Sequence, residues 1–97
     1  MSESFEFDST HIFFDGKVVL RDFYQNRTKV TMGFMAAGEF KWLAEKKERF
    51  NILSGAACFI IGNDVLPALP NSEIIIPEGT VFIVKVSEPI DYRCYYG

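Results

Sequence analysis

Histidine is nearly missing: His11 is the one imidazole in 97 residues. A single ring excludes a cluster of imidazoles for a catalytic metal, and one imidazole in the N-terminal stretch offers no Ser/His/Asp set or Cys/His pair to propose. Cysteine is scarce as well. Cys58 and Cys94 both fall among aliphatic or aromatic neighbours in predicted strands, where a thiol serves as a small hydrophobe rather than as half of a disulfide. Positive charge is outnumbered, with Lys+Arg 10 against Asp+Glu 13 and a net charge of −3. Phosphate-backbone recognition depends on a basic surface, so no nucleic-acid partner is expected. No apolar run approaches the ~20 residues of a membrane helix, which argues against a membrane partner. The N-terminal string MSESFEFDSTHIFF has neither a basic n-region nor an apolar h-region, so no signal peptide is read there and the cytoplasm is the expected location. There is also no Gly-rich phosphate loop, linker, internal repeat or low-complexity tract.

Apolar and aromatic residues are plentiful, at 48% and 15% of the chain, enough for a sizeable core and against disorder. The length suits one domain, residues 1–97, with 1–10 as a peripheral strand or a flexible arm. Ser4 to Asp8 reads as a short strand, and His11 as N-terminal surface. Asp15-Gly16 is a hairpin dipeptide between apolar runs. Strands follow at Lys17 to Tyr24 and Thr28 to Met35, the second with Val30, Met32 and Phe34 on one face and Lys29, Thr31 and Gly33 on the other. Gly38 to Leu43 and Arg49 to Leu53 form a hairpin around Ala44-Glu45-Lys46-Lys47, closed by Ser54-Gly55. Ala56 to Ile61 is a continuous apolar run. Asn63 to Ser72, holding Pro67 and Pro70, reads as an irregular crossover. Glu73 to Ile76, Thr80 to Val86 and Asp91 to Tyr96 complete the set, with Glu88-Pro89 as a turn. Many short strands between turn signals predict an all-β barrel or sandwich.

Alternation along the central hairpin sorts its side chains. Glu39, Lys41 and Leu43 share a face, as do Glu48, Phe50 and Ile52. If those two faces line one barrel, Glu39 and Glu48 look into a common pocket. The competing reading of Glu48 is a solvated charge in the run Glu45-Lys46-Lys47-Glu48-Arg49.

Two spacings sharpen the fold. Glu48 precedes Gly55 by six intervening residues, and Pro77-x-Gly79 is followed by Phe82. Both resemble the paired motifs of the cupins, small jelly-roll barrels. The resemblance puts Lys41, Leu43 and Phe82 where cupins carry their three histidines, and only Glu48 remains of the metal ligands. A transition metal needs three or four N, O or S donors, so a metal-free cupin is expected. Four further strings resemble the pyrimidine/purine nucleoside phosphorylase family of small bacterial cupins over about residues 13–96: Phe14-Asp15-Gly16-Lys17-Val18; Gly33-Phe34-Met35 with Gly38-Glu39-Phe40; Glu48 to Gly55; and Glu88 to Tyr96. The chain departs from that family in having Phe50 where Met is usual, no Trp between Val65 and Leu69, and Asn71 where Gly is frequent. The resemblance implies a homodimer that needs no cofactor and splits nucleosides with inorganic phosphate into free base and pentose 1-phosphate.

The residues can be weighed against that chemistry. Carboxylates accept hydrogen bonds from ribose hydroxyls and favour a cation-like sugar, which makes Glu48 and Glu39 the catalytic candidates. Phe50 and Phe82, joined by Tyr92 and Tyr96, offer aromatic faces to a base, with ordinary core packing as the competing reading. Lys17, Lys41, Arg49 and Arg93 are the available cations for phosphate. Lys41 has the pocket parity and Lys17 lies in a family string. The sequence does not choose among them. The rival function is a non-catalytic metal-free cupin that binds a small metabolite with the same pocket.

Overall fold

The computed structural model describes residues 4–97. Eight strands follow in order: β1 (Glu6–Phe13), β2 (Val18–Gln25), β3 (Thr28–Met35), β4 (Gly38–Leu43), β5 (Glu48–Ile61), β6 (Asp64–Ala68), β7 (Glu73–Ile76) and β8 (Val81–Tyr96). Every pairing is antiparallel. Among the described residues there is no helix, and so none long and apolar enough to cross a membrane.

The two long strands set the architecture. β5 and β8 pair with each other from Glu48↔Tyr96 to Ile60↔Ile83. The first half of β8 pairs with β4, and its second half with β3, which continues to β2 and β1. The first half of β5 carries β7 and its second half β6. One sheet is thus folded over on itself, with β5 and β8 running through both halves of a jelly roll.

The fold-over sits where Ser54 to Ala56 meet Glu88 to Asp91, and the register shifts three times there. The buried positions of β5 change from even numbers, Phe50 and Ile52, to odd ones, Ala57 and Phe59. One residue has been absorbed by a bulge, which bends and twists a strand without ending it. Gly55 makes this possible. Its φ is +90°, and a Cβ there would lie 2.0 Å from the Pro89 carbonyl oxygen.

The strand breaks expected at Ser54-Gly55 and Glu88-Pro89 are therefore bends within β5 and β8. Pro89 is tolerated because the ladder is already irregular beside it. The crossover expected over Asn63 to Ser72 contains β6, with Pro67 opposite Cys58. β6 ends the strand path, and an edge position accommodates a residue that cannot donate. Asp15-Gly16 forms the β1–β2 hairpin turn, and β1 extends well past the strand read at Ser4 to Asp8. Of the arm read over residues 1–10, residues 1–3 lie outside the described residues.

The barrel is filled at its centre. Phe59, fully buried, lies 5.0 Å from Phe50 and 6.0 Å from Phe82 between ring centroids. Burying each ring contributes about 2–3 kcal/mol. Beside this packing, space opens toward the end of the barrel that holds the starts of β3 and β5 and the end of β8.

Candidate active site

At that end, inward residues of β5 and β8 face those of β3 and β4 across a cavity of about 50 Å³. Its walls include Thr31, Trp42, Glu48, Phe50, Phe82, Tyr92 and Tyr96. The space suits a few waters or one end of a small ligand rather than a whole nucleoside. Beside it lies a wider cleft of about 560 Å³, and the two share Leu43, Glu48 and Tyr96 in their walls. Arg27, Lys29 and Lys46 line this cleft together with Tyr24 and Glu45.

Of the residues singled out from sequence, Glu48, Phe50, Phe82, Tyr92 and Tyr96 come together around the cavity. Glu39 does not. Phe40 and Trp42 take the inner face of β4, so strict alternation sends Glu39 and Lys41 to solvent. The Glu39 carboxylate instead lies 3.7 Å from Lys85 Nζ, with both side chains well exposed. Lys17 is exposed at the end of the β1–β2 turn. Arg49 points outward to Glu73 at 3.3 Å and stacks over Tyr95, and Arg93 lies over Phe5. The expectation that Glu39 and Lys41 share the pocket of Glu48 is thus corrected. The larger apolar pair decides which side of β4 is covered. Phe50, Phe82 and Tyr92 are only 4%, 2% and 3% exposed. Phe50 is in ring contact with both Phe82 and Tyr92, so these rings form the cavity floor and the core at once. Gly33 makes room for Tyr92, since a Cβ there would lie 2.2 Å from the Tyr92 ring.

Burial pushes the Glu48 carboxyl up to about 7, opposed by the Lys29 ammonium and reinforced by Glu45. A carboxyl that exchanges its proton near neutrality is suited to acid–base or electrostatic work. Burial also pushes Tyr92, Cys94 and Tyr96 upward, so these groups stay neutral and carry no charge into the cavity. Lys29 reaches in from the cleft side. Its Nζ lies 4.8 Å over the Tyr96 ring and 3.6 Å from Asp22 Oδ2.

Sequence reasoning missed Lys29, Asp22, Thr31 and Trp42. Thr31 is fully buried, donates to Asp22 Oδ1 at 2.7 Å and lies 2.6 Å from the Tyr96 hydroxyl. Trp42 Nε1 is buried without a hydrogen-bond partner among the described residues. The available signal was the face Lys29-Thr31-Gly33 of β3, from which Thr31 lines the cavity, Lys29 the cleft and Gly33 backs Tyr92, while Val30, Met32 and Phe34 alternate to the other side.

No three His, Cys, Asp or Glu side chains are grouped to hold a metal ion among the described residues. The positions that the cupin resemblance marks for ligands are an outward lysine and two hydrocarbon side chains, Lys41, Leu43 and Phe82, so the donors present do not fit a transition metal.

Comparison with known proteins bears on the fold and the family. A protein of unknown function from Vibrio parahaemolyticus superposes with a TM-score of 0.87 at 22% identity, covering 97% of this chain and 99% of that one. A cupin superfamily protein from Desulfitobacterium hafniense gives 0.69 at 10% identity over 89% and 83% of the two chains. At such identities these likenesses establish the fold, an all-β cupin jelly roll. A pyrimidine/purine nucleoside phosphorylase from Rhodopirellula baltica is 33% identical over 87 residues, 88% of this chain and 95% of that protein. The profile of the pyrimidine/purine nucleoside phosphorylase family matches residues 8–96, and the chain belongs to that family.

Proposed function

We propose that the protein is a nucleoside phosphorylase, a pentosyltransferase that cleaves purine and pyrimidine nucleosides with inorganic phosphate to free base and pentose 1-phosphate. The observation that carries this reading is the position of Glu48, in the shared wall of a narrow polar-tipped cavity and a cation-lined cleft. The sugar sits at that junction. Glu48 accepts from its hydroxyls and stabilises the positive charge that develops at the anomeric carbon. Phosphate approaches from the cleft, where Arg27, Lys29 and Lys46 supply the positive charge. A phosphate oxygen bonds to the anomeric carbon, the glycosidic C–N bond breaks, its electron pair leaves with the base, and the base takes up the proton that hydrogen phosphate gives up. Tyr24 and Leu43, 40% and 55% exposed, give the base an apolar face in the cleft.

No metal takes part in this reading, and phosphate is the sole co-substrate. The free thiols of Cys58 and Cys94 fit a reducing, cytoplasmic setting. Homodimerisation would cover edge strands such as β1, which exposes Phe7, Ile12 and Phe13.

The test is incubation of the purified protein with inosine and with uridine, with and without phosphate, after EDTA treatment. Base and pentose 1-phosphate should appear only when phosphate is present, and EDTA should leave the rate unchanged. No cleavage of either nucleoside would leave a metabolite-binding cupin instead. The cations make a separate prediction. Arg27→Ala and Lys46→Ala should each raise the KM for phosphate by roughly 5–50-fold, the loss of one charge-assisted contact, with a smaller effect on the KM for uridine. Equal rises for both substrates would place phosphate elsewhere.

A further inference from the structure

The polar tip of the cavity has a fixed hydrogen-bond polarity. Thr31 Oγ1 donates to Asp22 Oδ1 at 2.7 Å, and a carboxylate oxygen can only accept. The threonine hydroxyl has one hydrogen, and this bond uses it. The 2.6 Å bond between Thr31 and Tyr96 is therefore made with the hydrogen of Tyr96. Both links are protected, since Asp22 is 6% exposed and Thr31 0%. On its outer side Asp22 Oδ2 is engaged by His11 Nε2 at 3.3 Å, Lys29 Nζ at 3.6 Å and Ser9 Oγ at 3.5 Å. These groups hold the carboxylate in place from the surface.

We propose that Asp22 and Thr31 are positioning residues that lock Tyr96 as a hydrogen-bond acceptor toward the cavity, so that the site selects a ligand carrying hydroxyl donors. With its hydrogen committed to Thr31, the Tyr96 oxygen offers only lone pairs to whatever enters. Glu48, paired with Tyr96 across β5 and β8, lines the same cavity and in its ionised form adds carboxylate acceptors to it. Two neighbouring acceptors match two neighbouring hydroxyls, the vicinal diol of a ribose, and disfavour a sugar lacking one of them. The nature of the ligand rests on the nucleoside phosphorylase reading; the wiring of Tyr96 does not.

Asp22→Asn is nearly isosteric but reverses the logic. Its amide nitrogen can donate to Thr31, which then donates to Tyr96 and turns the tyrosine hydrogen into the cavity. Thr31→Val removes the acceptor of Tyr96 while keeping the shape.

Two readouts on the full chain test this. The first is NMR of tyrosine-labelled protein without ligand. Wild type should show a slowly exchanging Tyr96 hydroxyl proton that is lost in Thr31→Val and shifted in Asp22→Asn. Its absence in wild type, or its persistence unchanged in either folded variant, would overturn the wiring. The same spectra report whether each variant is folded, and either variant alone suffices. The second is kcat/KM for uridine, 2′-deoxyuridine and 3′-deoxyuridine. At least one deoxy substrate should be disfavoured by about 10–100-fold. Asp22→Asn and Thr31→Val should erode that ratio roughly tenfold, and Thr31→Val/Tyr96→Phe should be no worse than Tyr96→Phe alone. Additive losses with an unchanged ratio would assign Thr31 a packing role and sink the proposal. If wild type cleaves no nucleoside, the proposed reaction fails, and the NMR result still decides the wiring.

Discussion

Glu48→Gln is expected to lower phosphorolysis by about a hundredfold to ten-thousandfold, the range in which a positioned carboxyl acts. The amide keeps the shape of the side chain and removes its charge. In the proposed reaction it also puts an NH₂ donor where ribose hydroxyls would need acceptors, so the loss should fall mainly on kcat rather than on the KM for phosphate. Stability should move the other way. Burial holds the Glu48 carboxyl at about 7 instead of the ordinary 4.5. The folded chain thus binds this proton more tightly than the unfolded chain. Its contribution to stability is fully present below the ordinary value and is lost as pH rises through about 7. Gln does not ionise. The melting temperature of Glu48→Gln should therefore gain on wild type between pH 5 and pH 8, by the equivalent of roughly 1–2 kcal/mol once partial solvent access is allowed for. Parallel melting curves across that range would show that Glu48 is an ordinary solvated acid. Uridine affinity, measured without phosphate so that phosphate ionisation does not enter, should rise through the same pH window because the ionised form accepts from the sugar.

The parts of the fold and site that were legible in the sequence are those where alternation ran without interruption. Glu48, Phe50 and Ile52 precede the bulge of β5, so a simple period of two assigns them to one face correctly, and Tyr92 and Tyr96 follow the bend of β8. Legibility failed where a strand offered two plausible inner faces. β4 carries Glu39 and Lys41 on one side and Phe40 and Trp42 on the other. Charge chemistry favoured the first side, but burial of two large aromatics outweighs any exposed ion pair. β3 deceived in the opposite sense. Its cavity side is the polar one, because Thr31 is satisfied by Asp22 and Tyr96 across the sheet. That satisfaction involves partners 9 and 65 residues away, so nothing local announces it. Asp22 likewise looks like a solvent charge until His11 and Lys29 are seen to converge on it. Turn residues misled for a third reason. Gly55 and Pro89 do redirect the chain, but a bulge uses the same residue types as a turn while keeping the strand intact.

Gly55→Ala is expected to be the most damaging small substitution in the chain. Two penalties coincide at this position. A φ of +90° is disfavoured for any residue with a Cβ, at about 1–2 kcal/mol. The added carbon would also lie 2.0 Å from a backbone oxygen, that of Pro89, rather than from a side chain able to swing away. Relief requires the two long strands to part at the bend that carries both halves of the sheet. The combined loss should reach about 3 kcal/mol or more, a fall in melting temperature of roughly 10–20 °C for a domain of this size. Gly79→Ala is the matching control. Its φ of +80° is similar, and a Cβ there would meet nothing within 4 Å, so it carries the backbone strain alone. Denaturant unfolding of the two variants separates strain from clash, and equal losses would mean that the Gly55–Pro89 approach is soft. The same comparison bears on activity. If β5 answers the clash by expelling its extra residue, the register slips by one and every inward side chain before the bend turns outward. Glu48 would leave the cavity with Phe50, and Gly55→Ala would lose phosphorolysis even at temperatures where it remains folded, whereas Gly79→Ala would keep it.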